Sequence, residues 1–133
     1  YTRYTRTMKK ILIIEDDLNL SDALKTKFVS EGYEVEVANN SELGLKSVIH
    51  TKPDLIFLDI MTHSLHAATF LQRLRELPTP KNDSKVIVLT NVDNEIIREK
   101  LEAFGIEAYM IKASTSLETL SEKTKEVLFR PIV

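Results

Sequence analysis

The chain contains no cysteine. Disulfides, thiolate metal sites and thiol nucleophiles are therefore all excluded, which fits a cytoplasmic protein. Its only glycines are Gly32, Gly44 and Gly105. None of them forms a glycine-rich turn behind the first apolar run, so a dinucleotide or flavodoxin-type cofactor binder is disfavoured. An Asp-x-Asp phosphatase arrangement is also missing there. No apolar stretch reaches the roughly 18 residues needed to cross a membrane, and no signal-peptide pattern occurs. Basic excess is lacking as well: the net charge is −2, which argues against direct nucleic-acid binding. Lys81, Lys85, Arg98 and Lys100 read as solvated charges. At 133 residues, the chain fits one compact domain.

What is present is an alternation of apolar runs and helical patterns, which indicates βα units and a mostly parallel sheet. The first strand spans about Lys9 to Glu15. Leu20, Leu24 and Phe28 then stripe a helix that Gly32 ends. Tyr33 to Ala38 forms a short strand. Ser41 caps a second helix, with Leu45, Val48 and Ile49 facing inward and Pro53 blocking its continuation. Asp54 to Asp59 is the third strand, followed by a helix over about Leu65 to Leu77. Val86 to Leu89 is the fourth strand, ending on Thr90. Ile97, Leu101 and Phe104 stripe the next helix, which Gly105 terminates. Ala108 to Ile111 is the fifth strand, followed by Lys112. Thr115-Ser116-Leu117-Glu118 reads as a capping box for a last helix carrying Leu117, Leu120, Val127 and Leu128. The fold class is α/β, (βα)5. Tyr1 to Thr7 repeats Tyr-Thr-Arg and reads as a tail, with Met8 as the start of the domain proper.

The strand ends carry the chemistry. Ile11-Leu12-Ile13-Ile14 closes on Glu15-Asp16-Asp17, and Leu55-Ile56-Phe57-Leu58 closes on Asp59. Open α/β sheets bind ligands at such carboxyl ends. Converging carboxylates repel one another unless a cation sits among them. A hard divalent ion, which takes oxygen ligands, suits that place. If strands one, three, four and five lie side by side, Glu15 and Asp16 hold the ion, with Asp16 the more direct ligand. Asp59 is then free to attack phosphorus, with Lys112 supplying a point charge and Thr90 a hydroxyl to the transferred group. Asp17 reads as a helix cap.

The pieces Ile-Leu-Ile-Ile-Glu-Asp-Asp at 11–17, Asp-Leu-Ile-Phe-Leu-Asp-Ile-Met at 54–61, Val-Ile-Val-Leu-Thr at 86–90 and Ala-Tyr-Met-Ile-Lys at 108–112 resemble a receiver domain of the two-component response regulators. The resemblance covers residues 8–128, leaving 1–7 and 129–133 as tails. It implies a flavodoxin-like fold with strand order 2-1-3-4-5 and helices on both faces. It implies phosphotransfer to Asp59 from the phosphohistidine of a sensor histidine kinase or a phosphotransfer protein. Mg2+ is implied on Asp16, Asp59 and the backbone carbonyl of Met61, with Glu15 acting through water. Thr90 and Tyr109 are implied as the switch that repacks the surface of helix four, strand five and helix five. A downstream protein partner docks there, and a homodimer is a further option. Such a domain accepts a phosphoryl group rather than turning over a substrate. With so little after Leu128, it is expected to work as a stand-alone module, although a longer parent carrying an effector domain would look identical here.

Four positions depart from the family pattern. His63 and His66-Ala67 replace a proline and an Asp-Gly pair, so Ala67 needs another loop geometry or carries strain. Ala113 replaces the proline that usually follows the lysine through a cis peptide, which a non-proline residue disfavours by about 3 kcal/mol. A trans link is expected to aim Lys112 differently. Asn91 stands where a small residue is usual and is expected to narrow access to Asp59. Met61 and Val92 flank the site with apolar bulk and are expected to slow loss of the phosphoryl group. His63 and His66 themselves read as solvated. These departures leave one alternative: a degenerate receiver acting as a phosphorylation-independent interaction module.

Overall fold

In a computed structural model of the chain, the residues described are 8–60, 66–78 and 83–130. The elements are β1 (Lys10–Ile14), α1 (Leu18–Ser30), β2 (Glu34–Ala38), α2 (Ser41–Thr51), β3 (Leu55–Leu58), α3 (Ala67–Glu76), β4 (Lys85–Thr90), α4 (Glu95–Glu102), β5 (Ala108–Ile111), a 3-10 turn (Lys112–Ser114) and α5 (Leu117–Leu128). All pairings are parallel, in the order β2-β1-β3-β4-β5. That is the expected order.

The apolar runs explain which strands are central. Ile11–Ile14 and Leu55–Leu58 are buried at every position, as a parallel strand covered on both faces requires. β2 instead alternates Glu34 and Glu36 with Val35 and Val37, and its charged positions protect a sheet edge from pairing with another chain. Alternation along the central strands divides the core in two. Leu12, Ile14, Ile56, Leu58, Val86 and Val88 pack with Val48, Phe70, Leu71, Leu74 and Leu101 from α2, α3 and α4. Ile11, Ile13, Leu55, Phe57, Ile87 and Leu89 pack on the other face with Leu24, Phe28, Leu120 and Val127 from α1 and α5.

Helix ends follow local chemistry, with three corrections. Asp17 caps α1 as expected, accepting from the N–H groups of Asn19 and Leu20 at 3.0 and 3.2 Å. α2 is capped by Asn40, which accepts from Leu43 N–H at 2.9 Å, and Ser41 is its buried first residue. α5 is capped by Ser116, which accepts from Thr119 N–H at 3.0 Å, so the cap falls one residue beyond Thr115. Ile49 does not face inward but is 47% exposed, because only a narrow stripe of α2 meets the sheet. Gly32 and Gly105 adopt φ of 97° and 80°, the left-handed conformation that lets the chain leave a helix sharply. Ala67 begins α3 behind an extended His66, and Lys52 is the only non-glycine residue at positive φ among those described. Ala67 itself therefore avoids the anticipated strain. His66 is exposed, while His63 and Leu65 lie outside the described residues.

Two long-range features tighten this frame. The Arg75 guanidinium of α3 donates to Ser84 O at 2.7 Å, Gly105 O at 3.1 Å and Phe104 O at 3.3 Å. It thereby ties α3 to the turn that follows α4 and to the residue that precedes β4. Gly44 lies directly over β1, and a Cβ there would overlap Ile14 Cδ1. Gly44→Ala is expected to destabilise the domain, because overpacking costs about 1–3 kcal/mol against about 1 kcal/mol of helix propensity gained. Adding Ile14→Val, which lacks the Cδ1, should recover part of the loss. Urea midpoints check both, and a Gly44→Ala midpoint above wild type would contradict this close approach.

Candidate functional site

The parallel register sets Ile14 opposite Leu58 and Leu58 opposite Val88, so the residues that follow β1 and β3 leave the sheet at one edge. The Asp59 N–H donates to Ile14 O at 3.2 Å and the Glu15 N–H to Ala38 O at 3.0 Å, which extends the ladder by one step. Carboxylate oxygens of Glu15, Asp16 and Asp59 come within 4.8 Å of one another. Glu15 and Asp59 are buried, at 2% and 4% exposure, whereas Asp16 is open to solvent.

One cation serves the two buried acids. Lys112 Nζ lies 2.7 Å from Asp59 Oδ2 and 2.6 Å from Glu15 Oε1. The other Glu15 oxygen accepts from the Asp17 N–H at 3.1 Å. Burial nevertheless pushes the Glu15 carboxyl up to about 7, with the Lys112 and Asp17 hydrogen bonds opposing and the nearby Asp59 adding to the rise. Burial pulls the Lys112 ammonium down, but its bonds to Asp59 and Glu15 outweigh that and raise it. Lys112 thus keeps its positive charge. The three carboxylates offer an all-oxygen donor set, which suits a hard divalent ion. Glu15, Asp16 and Asp59 are the residues that can hold it. Met61, whose carbonyl was expected to join them, lies outside the described residues.

The expected misdirection of Lys112 does not occur. No cis peptide is present among the described residues, and the ammonium still reaches both acids. Asn91 does not simply crowd the site either. Its side-chain oxygen accepts from the Ala113 N–H at 3.1 Å, a contact between distant segments that sequence reading missed. An asparagine beside a strand end facing a non-proline turn is the only local signal for it. Thr90 is fully buried and its hydroxyl accepts from the Val92 N–H at 3.2 Å. Tyr109 is half-buried against the core, with its hydroxyl donating to Val92 O at 2.5 Å and Arg98 lying 5.9 Å over its ring.

In the absence of metal, Glu15 couples this site to folding. Below its ordinary value of 4.5 it is protonated in both states; between there and about 7 only the unfolded chain gives up the proton. Stability is therefore lost as the pH rises through about 7. In chelator, wild type is expected to lose on the order of 2 kcal/mol relative to Glu15→Gln between about pH 5 and about pH 8. Urea unfolding across that range measures the difference, and parallel curves would contradict it.

A family profile described as response regulator receiver domain matches residues 11–125. The transcriptional regulatory protein PcoR of Escherichia coli is 34% identical over 79% of this chain and 45% of its own length. The alkaline phosphatase synthesis transcriptional regulatory protein PhoP of Bacillus subtilis is 30% identical over 92% of this chain and 49% of its own. The chain thus spans about half the length of these relatives. A CheY-like receiver domain protein from Methanospirillum hungatei superposes with a TM-score of 0.85 at 28% identity, covering 92% of this chain and 95% of that one. A further relative, RpaA of Synechocystis, is a DNA-binding transcriptional regulator, 34% identical over 79% of this chain and 43% of its own length. The expectation of no direct nucleic-acid binding is therefore withdrawn: a net charge of −2 describes this stretch alone, and it carries no information about proteins twice as long. No described helix is long and apolar enough to cross a membrane. In its matched residues, its parallel five-stranded fold and its acidic strand-end cluster, the chain belongs to the receiver domains of the two-component response regulators.

Proposed function

We propose that Asp59 is the phosphoacceptor, receiving a phosphoryl group from the phosphohistidine of a sensor histidine kinase or phosphotransfer protein. The observation that carries this reading is the Lys112 ammonium held between Asp59 and Glu15 at 2.7 and 2.6 Å, with Asp16 completing an acidic cluster. An Asp59 oxygen attacks phosphorus, the P–N bond breaks, and its electron pair returns to the imidazole nitrogen, which takes a proton from solvent. An acyl phosphate results. Lys112 can follow the transferred group, since its ammonium is a mobile point charge on a long stem. When bound by Glu15, Asp16 and Asp59, Mg2+ neutralises charge on the phosphoryl oxygens. The rest is positioning by the strand ends rather than acid–base work.

Thr90 and Tyr109 are the proposed switch. Both are tied to Val92, Thr90 through the Val92 N–H and Tyr109 through the Val92 carbonyl. A Thr90 hydroxyl drawn to the phosphoryl group releases the first of these bonds and alters the loop that the second one holds. The surface of α4, β5 and α5 then changes for its protein partner. Residues 8–128 form the proposed receiver unit, cytoplasmic and acting as a stoichiometric acceptor. Its similarity to transcriptional regulators supports control of gene expression as the output of the whole protein.

The degenerate-receiver alternative is not favoured, because the acids and the lysine meet. Incubation with Mg2+ and phosphoramidate is expected to add one phosphoryl mass to wild type and none to Asp59→Ala. Lys112→Ala should slow the gain at least about tenfold. Intact-mass spectrometry reads all three. An unmodified wild type, or equal labelling of Asp59→Ala, would overturn the assignment.

A further inference from the structure

The 3-10 turn Lys112–Ser114 is anchored at its carbonyl side by local bonds. Ile111 O accepts from the Thr115 hydroxyl at 2.7 Å, and Lys112 O accepts from the Thr115 N–H at 3.3 Å. Its N–H side has no such support, because the flanking Ile111 has no side-chain cap to offer. The acceptor comes from 22 residues away: Asn91 Oδ1 takes the Ala113 N–H at 3.1 Å. Register explains the reach. Thr90 pairs with Ile111, so the residues just beyond β4 and β5 leave the sheet side by side. Asn91 is itself held firmly, because Thr90 and Val92 on either side of it are joined by a 3.2 Å bond and Val92 O receives the Tyr109 hydroxyl.

We infer that Asn91 is a positioning residue for Lys112, capping from β4 the turn whose first residue carries the ammonium. Lys112 reaches Asp59 and Glu15 through a long flexible side chain, so a small rotation of this turn displaces Nζ far more than it displaces the backbone. The bond exists because residue 113 carries an N–H. It also ties the loop that leaves β4, with Thr90 and Val92, to the lysine. The inference rests on Asp59 being the phosphoacceptor and adds a residue that does not touch the phosphoryl group.

The test is a double-mutant cycle on the full chain, read as the rate of phosphoryl gain from phosphoramidate with Mg2+. Asn91→Ala is expected to slow the reaction about three- to tenfold, the range for one neutral hydrogen bond. In the Ala113→Pro background there is no N–H to lose, and the same change should matter less than about twofold. An amide proton spectrum reads the bond without any phosphorylation: the Ala113 signal moves upfield in Asn91→Ala and stays near its wild-type position in Asn91→Asp, which keeps the acceptor. Should Ala113→Pro not fold, that pair decides the question. Equal loss in both backgrounds, undiminished reactivity of Asn91→Ala, or an unmoved Ala113 signal would overturn the inference and leave Asp59 as acceptor. A wild type that takes no phosphoryl group would instead overturn the functional reading, and the kinetic role of Asn91 with it.

Discussion

Among the described residues, two buried carboxylates share one ammonium, and that arrangement governs the site. Glu15 and Asp59 are almost wholly shielded from water, and Lys112 is within hydrogen-bond reach of both. Desolvated charge is tolerated only when paired, and among the described residues the Lys112 ammonium pairs with both acids. Burial raises the Glu15 carboxyl to about 7, against the opposing bonds from Lys112 and Asp17. A divalent ion among Glu15, Asp16 and Asp59 would add positive charge at the same place, and a phosphoryl group arriving at Asp59 would bring its negative charge there.

Everything around the cluster serves to hold three strand ends level. The parallel pairing of β1, β3, β4 and β5 fixes where the chain leaves the sheet. The continuous apolar runs lock that pairing from both faces, since slipping a strand by one residue would turn every side chain to the opposite layer. Residues 90–92, closed on themselves by the Thr90–Val92 bond, are joined to the half-buried Tyr109 and to the turn at Lys112 by one hydrogen bond each. Under the proposed switch, this short stretch is where a local charge change would become a change of shape.

Much of this was legible in the sequence because local signals and tertiary demands agree there. Ile11–Ile14 and Leu55–Leu58 are apolar throughout because both faces of a central parallel strand are covered, and such runs mark their own ends with the first acid. Caps were harder. Asn40 and Ser41 are adjacent residues equally able to cap, as are Thr115 and Ser116, and only the observed backbone decides between them. Ile49 was misjudged because helical periodicity does not reveal how wide a stripe the sheet will cover. Arg75 could not be found from local pattern at all, and Asn91 only from its place beside a strand end, since their partners lie 9 to 30 residues away and are backbone groups of no particular type. The nucleic-acid expectation failed for a different reason: composition reports on the stretch in hand, while the relatives are about twice its length.

The central claim is that the strand-end cluster binds a divalent ion through its acids. Calorimetric titration with Mg2+ near pH 8 tests it most directly, comparing wild type with Asp16→Asn. The account predicts saturable uptake by wild type at millimolar or lower concentration and affinity at least about tenfold weaker once a ligand charge is removed. No uptake by wild type, or an affinity that Asp16→Asn leaves unchanged, would contradict it.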